Sequence, residues 1–123
     1  MSTSGGPVDR ATLEDLAAAS RILADQGVFD AAGHVSMRHP GHPERFLMSR
    51  SLAPQMITAD DIMEFDLDSN PVDRRGRAMF VERFIHGEIY KARPDVKHFP
   101  LYTSDEGGTV LISSDAMRLA LAA

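Results

Sequence analysis

The first hydrophobic pattern along the chain has the spacing of an α-helix. Its apolar positions recur every three or four residues, at Leu13, Leu16, Ala19 and Leu23. Such spacing places the side chains on one face of a helix. Thr12 offers a short acceptor side chain for the helix start, and Gly27 suits the left-handed conformation in which many helices end. The pattern predicts a helix over residues 13–26.

Alternation replaces the helical spacing after this helix. Residues 33–38 and 46–48 alternate apolar and polar side chains, and a cluster with two prolines separates them. This arrangement predicts a β-hairpin with an exposed loop. The loop histidines, His39 and His42, are expected to be solvated.

A third strand and a second helix follow. Residues 63–67 alternate again, which predicts a half-buried strand. Helical spacing returns over residues 81–93, with an apolar stripe formed by Val81, Phe84, Ile85, Ile89 and Ala92. Pro94 disfavours the helical conformation for the residue before it, so this helix is expected to end at Arg93.

The two ends of the chain carry weaker patterns. Residues 1–10 lack an apolar repeat and are expected to form a disordered leader, while residues 11–96 hold the predicted elements. The pattern then weakens, although residues 109–112 are compatible with a strand, with a short helix after it. We therefore divide the chain into the leader, a main part over 11–96 and a divergent tail over 97–123.

Composition and charge narrow the class of protein. The chain has 123 residues, of which 43% are hydrophobic and 25% charged, as in an ordinary globular domain. Its formal net charge of -5 argues against a nucleic-acid partner, which would need a clustered positive field. No apolar run reaches the roughly 20 residues of a membrane span, and a cytoplasmic location is the expectation. Cysteine is absent, which leaves His, Asp and Glu as the good metal ligands.

Glu82 and His86 form the most informative polar pair. They lie four positions apart in the second predicted helix, so their side chains share one face of it. The pair could bind a metal ion or place an acid beside one. The alternative is a surface Glu–His pair with a small effect on stability, and the spacing alone favours this alternative.

Two further segments could bind a ligand. A glycine precedes His34 and Ser36 at the start of the first strand, and glycine lets a ligand approach the backbone closely. Ser49 and Ser51 flank Arg50, whose guanidinium could hold a carboxylate or phosphate with two hydrogen bonds. The alternatives are the plain start of one strand and the polar end of another.

Four segments in this order resemble the class II aldolase and adducin family. They are Gly33-His34-Val35-Ser36, Phe46-Leu47-Met48-Ser49-Arg50-Ser51, Asp61-Ile62-Met63-Glu64-Phe65-Asp66-Leu67-Asp68 and the stretch from Glu82 to Val96. The resemblance runs over about residues 13–96. It is greatest to a branch of decarboxylases in aromatic-acid breakdown, which act on dihydroxyphthalate-type or carboxylated hydroxymuconate semialdehyde-type acids.

This resemblance implies a fold, a cofactor and a chemistry. The implied fold class is α/β, as a partial, truncated three-layer α/β/α sandwich with a mostly antiparallel sheet. Family members are typically homo-oligomers and bind a divalent metal, often zinc, through three histidines. Glu82 matches the family's acid/base glutamate. The implied reaction is retro-aldol cleavage or decarboxylation through an enediolate, whose developing charge a Lewis acid neutralises.

Several residues depart from the family pattern. Phe80 and Val81 replace the serines that bind phosphate in the family's aldolases, and Arg50 stands where those enzymes favour a Thr/Gly-type loop. Both departures favour a carboxylate substrate. The family's His-x-His metal pair would fall at about Leu101 and Thr103, so we expect this chain to bind no zinc-type ion tightly.

The sequence therefore predicts a truncated relative of a metal-dependent lyase. The substrate of the intact relative would be a hydroxylated aromatic or ring-cleaved carboxylic acid, with Glu82 as the catalytic residue. The expected substrate contacts are His34, Ser36, Ser49, Arg50 and Ser51. The alternative is a non-catalytic protein, either an adducin-like binding module or an inert fragment.

Overall fold

A five-stranded antiparallel sheet organises the chain. The computed structural model describes residues 3–26, 33–103 and 109–111. The strands are β1 (His34–Arg38), β2 (Arg45–Ser49), β3 (Ile62–Asp66), β4 (His98–Thr103) and β5 (Thr109–Leu111). Their spatial order is β3-β2-β1-β4-β5, and every neighbouring pair is antiparallel. The sheet confirms the predicted hairpin and the predicted third strand.

Two helices cover opposite faces of this sheet, namely α1 (Arg10–Asp25) and α2 (Arg83–Ala92). The face under α1, here called the α1 face, is an aliphatic cluster of Leu16, Ala19, Leu23, Val35 and Leu47. The α2 face is a larger cluster that comprises Phe46, Met48, Met63, Phe65, Tyr90, Phe99 and Leu101. Because side chains alternate along each strand, one sheet supplies both clusters. The result is an α/β/α sandwich with an antiparallel sheet, as predicted.

The start of the chain differs from the prediction. The helix begins at Arg10, with Asp9 as its N-cap residue, so Thr12 lies inside the first turn. Glu64 on β3 accepts hydrogen bonds from the Ser4 hydroxyl at 2.7 Å and the Gly5 amide at 2.6 Å. The prediction of a disordered leader is therefore wrong for residues 3–9, because backbone and side-chain hydrogen bonds hold this segment against the sheet.

The hairpin loop also contradicts one expectation. His39 is buried, and its Nδ1 atom accepts a hydrogen bond from the Gly41 amide at 2.9 Å. Its Nε2 atom lies 2.9 Å from the Gly6 carbonyl oxygen. His39 is therefore a structural contact between the loop and the N-terminal segment, and not a solvated side chain.

The second helix ends as predicted but presents a different face. Arg93 leaves the helical region at φ -130 and ψ 85, as Pro94 requires. The apolar stripe lies largely in solvent, since Val81 is 76% exposed, Phe84 48% and Ile85 40%. The buried residues of α2 are instead His86, Gly87 and Tyr90.

Gly87 explains this orientation of α2. A Cβ atom built on Gly87 would lie 2.6 Å from the Leu67 carbonyl oxygen and would collide with the Ser69 hydroxyl. Glycine therefore allows the helix to approach the end of β3 closely. This contact turns the side of α2 with His86 and Tyr90 towards the sheet.

Strand β4 corrects the expectation for the beginning of the tail. It pairs with β1, with Phe99 opposite Ser36 and Leu101 opposite His34, and the Phe99 and Leu101 side chains are buried in the α2 face. Residues 98–103, which the sequence analysis assigned to the divergent tail, therefore form a strand of the sheet. The predicted strand over 109–112 is confirmed at its described residues. Residue 112 and the predicted final helix lie outside the described part of the chain.

Candidate functional site

An open groove lies between the segment after β2 and the start of α2. Its volume is about 580 Å³. It is lined by Ser51, Leu52, Ala53, Met79, Phe80, Val81 and Glu82. The Ser51 amide donates a 2.9 Å hydrogen bond to the Ala78 carbonyl oxygen, which fixes the two walls against each other. The groove thus joins two predicted site residues, Ser51 and Glu82, that are far apart in sequence.

Arg50 lies immediately before this groove and is already paired on one side. Its Nε atom donates a 2.8 Å hydrogen bond to Asp61, and the side chain is 40% exposed. Burial raises the pKa of Asp61, but hydrogen bonds from Arg50 and Thr58 outweigh that effect and leave the pKa below its ordinary value. Because Asp61 takes the Nε side, a ligand carboxylate would meet the two terminal nitrogens of Arg50.

A buried hydrogen-bonded series extends from the first strand to the second helix. The Nδ1 atom of His34 lies 2.7 Å from Nε2 of His86, and Nδ1 of His86 lies 2.6 Å from the Ser36 hydroxyl oxygen. That oxygen also lies 2.7 Å from the Tyr90 hydroxyl. We call these four residues the buried polar series. It replaces the predicted surface Glu–His pair, because His86 is completely buried.

Aromatic rings surround the two histidines of the series. Phe80 contacts the His34 ring at a centroid distance of 4.6 Å, and Phe99 meets the His86 ring edge-on at 4.9 Å. Burial lowers the pKa of His34 to about 4, although the charge of Glu82 acts in the opposite direction. Burial, together with the neighbouring His34, also holds the pKa of His86 well below its ordinary value. Both imidazoles are therefore neutral at pH 7.

The predicted site residues differ in how they lie relative to the groove. Ser51 and Glu82 line the groove. His34 is buried but contacts Phe80, which forms part of the groove wall.

Ser36 and Ser49 lie outside the lining of the groove. Ser36 is fully buried behind the histidines, so it supports the site and does not line the groove. Ser49 pairs with Ile62, a residue of the α1 face, because alternation points it to the side opposite Met48. Neither serine is placed to contact a ligand in the groove.

Tyr90 is the member of the buried polar series that the sequence analysis did not single out. It follows Glu82 and His86 at intervals of four residues, so the three side chains share one side of α2. Arg38 on β1 holds the end of this helix, since its Nη2 atom donates hydrogen bonds to the Tyr90 and Arg93 carbonyl oxygens at 2.9 and 3.0 Å. The four-residue repeat was the available signal, and the apolar stripe obscured it.

The described residues do not fit the metal site that the resemblance implies. Leu101, at the position of one implied histidine, is a buried apolar side chain of the α2 face opposite His34. Thr103 takes the other position, two residues further along β4. Over residues 3–26, 33–103 and 109–111, no group of three or more His, Asp or Glu side chains is arranged to hold a metal ion.

Comparison with protein families places most of the chain in one of them. The family described as Class II Aldolase and Adducin N-terminal domain matches residues 14–106. Decarboxylase tropJ from Talaromyces stipitatus is 44% identical over 78 residues, which cover 62% of this chain and 29% of that protein. The family match extends beyond Val96, in agreement with the position of β4 in the sheet.

Solved structures share the fold. An aldolase II superfamily protein from Pseudomonas syringae has a TM-score of 0.70 at 29% identity, over 83% of this chain and 42% of its own. The L-fuculose 1-phosphate aldolase from Glaciozyma antarctica PI12 has a TM-score of 0.66 at 28% identity, over 80% of this chain and 45% of its own. The chain thus spans less than half the length of these relatives. Among the described residues, neither helix has the length and apolar character needed to cross a membrane.

Proposed function

The chain belongs to the class II aldolase and adducin family, and on this premise we propose that its groove binds a hydroxylated aromatic or ring-cleaved carboxylic acid for decarboxylation. The observation that carries the proposal is the meeting of Ser51 and Glu82 in one groove, with Arg50 directly beside Ser51. In this proposal, Arg50 and Ser51 bind the anionic group at one wall of the groove, and Glu82 transfers a proton at the other.

Arg50 and Ser51 would hold a carboxylate of the substrate. The terminal nitrogens of Arg50 can form two parallel hydrogen bonds to a carboxylate, while Phe80 offers an apolar surface to the ring or chain. Arginine stabilises the carboxylate that it binds, so it would oppose the loss of that group as CO₂. We therefore assign to Arg50 the carboxylate that the product keeps, which favours an acid with two carboxylates.

Glu82 would transfer the proton. When the bond to the departing carboxylate breaks, CO₂ leaves and the electron pair remains on the neighbouring carbon. That carbon takes a proton from the Glu82 carboxyl group, and solvent restores it. The family's divalent metal would stabilise the developing charge, but Leu101 and Thr103 offer no imidazole for it, so no step is assigned to a metal.

Binding of 4,5-dihydroxyphthalate tests this proposal. Amide resonances of residues 51–53 and 79–82 should shift on titration, and L-fuculose 1-phosphate should not shift them at equal concentration. Arg50→Lys should weaken binding, because a point charge replaces the planar fork. Arg45→Lys is the matched control, since Arg45 bonds to the N-terminal segment at the Thr3 carbonyl. Preference for the sugar phosphate would contradict the proposal.

A second candidate function is a non-catalytic, adducin-like binding module. The apolar Leu101 at an implied metal-ligand position favours it. Turnover separates the two functions. A decarboxylase should release CO₂ from the acid, and Glu82→Gln should lower the rate by about 10²–10⁴-fold with binding retained. Binding without CO₂ release would favour the module. The prediction that the chain binds zinc only weakly is checked by elemental analysis after dialysis. We also propose that the protein forms a homo-oligomer and is located in the cytoplasm.

A further inference from the structure

The contacts of the buried polar series are compatible with two directions of proton donation, and the partners at its two ends favour one of them. Each of its contacts is a hydrogen bond that needs one proton, and the neutral side chains supply a limited number of protons. Burial raises the pKa of Tyr90, so its hydroxyl keeps its proton at neutral pH. Among the described residues, the hydrogen-bond partner of this hydroxyl is the Ser36 oxygen, 2.7 Å away, so the Tyr90 proton is donated to Ser36.

Ser36 then has two acceptors for its own proton. The Nδ1 atom of His86 lies at 2.6 Å, and the Phe99 carbonyl oxygen lies at 3.5 Å. The shorter contact is the stronger hydrogen bond, so the hydroxyl donates to His86. A neutral His86 that accepts at Nδ1 carries its proton on Nε2. This Nε2–H group donates to Nδ1 of His34 at 2.7 Å.

We propose that Ser36 and His86, oriented by Tyr90, are positioning residues that fix His34 in its Nε2–H tautomer, so that His34 presents a neutral N–H donor towards the groove. The Nδ1 atom of His34 accepts from His86, which leaves the ring's single proton on Nε2. The part of this inference that concerns a ligand rests on the proposed function.

The surroundings of His34 connect this donor to the site. Its ring contacts Phe80, which lines the groove, and Glu82 is near enough for its charge to act on the imidazole. The Nε2 edge of the ring points away from His86, because Nδ1 faces that residue. A donor at this edge complements a carboxylate or phenolic oxygen, whereas the opposite tautomer would present a lone pair and repel it. Glu82 and His34 thus take different roles, proton transfer and hydrogen-bond donation.

Nitrogen-15 NMR of the imidazole rings tests the tautomer directly in the full chain at pH 7. In the wild type, His34 should show the Nε2–H tautomer in at least about tenfold excess, as one buried hydrogen bond would supply. Ser36→Ala removes the donor to His86 and should bring the two His34 tautomers to comparable populations. Tyr90→Phe keeps the Ser36 hydroxyl and should change the ratio less. Amide spectra of Leu16 and Leu23 report whether the fold is retained.

Two results would overturn the proposal. The first is a wild-type His34 with its proton on Nδ1, or with a near-equal mixture of tautomers. The second is an unchanged tautomer ratio in a folded Ser36→Ala variant. If that variant does not fold, the wild-type ratio and the Tyr90→Phe variant decide.

A ligand titration separates this inference from the proposed function. With 4,5-dihydroxyphthalate as the probe, the Nε2 resonance of His34 should shift in the wild type, and Ser36→Ala should bind the probe more weakly. A shift in the groove without any change at His34 would contradict the donor role. If the probe does not bind at all, the proposed function fails, while the tautomer measurement still tests the positioning of His34.

Discussion

The two faces of the sheet are covered by different types of side chain. The α1 face is closed by aliphatic side chains of α1, β1 and β2. The α2 face places His34, Ser36 and His86 among aromatic rings, and the groove opens beside them. The first face is an ordinary core, and the second combines a core with a candidate site.

The difference shows what each face requires of its residues. Aliphatic packing needs only the right volume at each position, whereas a buried polar group needs a specific partner. Among the described residues, each buried side-chain nitrogen or oxygen has a hydrogen-bond partner. The α2 face therefore depends on pairs of residues that must change together, and the α1 face does not.

Leu16→Ala should produce the largest loss of stability and should disrupt the packing of the α1 face only. Leu16 is buried in the aliphatic cluster, so its truncation removes apolar burial and leaves a cavity. We expect the free energy of unfolding to fall by about 2–5 kcal/mol, measured by urea denaturation. Leu13→Ala, at the half-buried margin of the same cluster, should cost less. Large shifts in the His34 and His86 imidazole resonances of Leu16→Ala would show that the faces are coupled.

Acid should act on the α2 face instead. Burial lowers the pKa of His34 to about 4, whereas the unfolded chain has the ordinary value near 6.5. The unfolded state thus binds more protons between these values. The contribution of neutral His34 to the free energy of unfolding is complete above about pH 6.5 and is lost as the pH falls towards 4. For His34 the loss reaches about 3 kcal/mol by pH 4. His86 acts in the same direction.

The measurement is urea denaturation at pH 7, 6 and 5. In this range the titration of carboxylates contributes little to the pH dependence of the free energy of unfolding. His34→Asn should reduce the pH dependence of the free energy of unfolding by the equivalent of about one proton taken up on unfolding. If that variant fails to fold, titration of the His34 resonances in the wild type gives the same information. A folded-state His34 pKa near 6.5, or a free energy of unfolding that stays constant from pH 7 to 5, would contradict the difference between the faces.

The α1 face could be predicted from the sequence, because aliphatic residues at helical spacing indicate a helix face that packs against an apolar surface. Leu16 and Leu23 needed no knowledge of the sheet to be assigned to the core. The resemblance to the family supplied the fold class and Glu82. The pattern of a guanidinium between two hydroxyls singled out Arg50 and Ser51, of which Ser51 lines the groove and Arg50 directly precedes it in the chain. Strand alternation places Ser49 on the side of the sheet opposite Met48, and the sequence analysis did not use that constraint.

The orientation of α2 could not be predicted from its own residues. Val81 and Phe84 form a credible apolar stripe, yet the helix buries the polar side with His86. The deciding contacts, between Gly87 and the Leu67 carbonyl and between His86 and β1, are tertiary. Hydrophobicity along one helix carries no information about a polar partner on a distant strand.

Gly87→Ala should therefore destabilise the α2 face, against the intrinsic preference of alanine for helices. Propensity alone would favour alanine by about 1 kcal/mol. The new Cβ atom would approach the Leu67 carbonyl oxygen to 2.6 Å, and backbone there cannot move aside easily. We expect a net loss of about 1–3 kcal/mol, with shifted His86 resonances. Glu88→Ala, on the exposed side of the same turn, should stay within about 0.5 kcal/mol, and a stabilised Gly87→Ala would refute this account of the helix orientation.

Glu64→Gln should have the smallest effect and tests how far the α1 face extends. The two carboxylate oxygens accept from the Ser4 hydroxyl and the Gly5 amide, and an amide side chain keeps only one acceptor. Because the segment is partly exposed and His39 still contacts the Gly6 carbonyl, we expect a loss of no more than about 1 kcal/mol. Hydrogen exchange at Gly5 should accelerate while that of Leu16 stays unchanged. Ser4→Ala, which removes one of the two donors, should give a smaller acceleration. If the hydrogen exchange of Leu16 accelerates equally, the N-terminal segment is an integral part of the α1 face and not a peripheral segment attached to it.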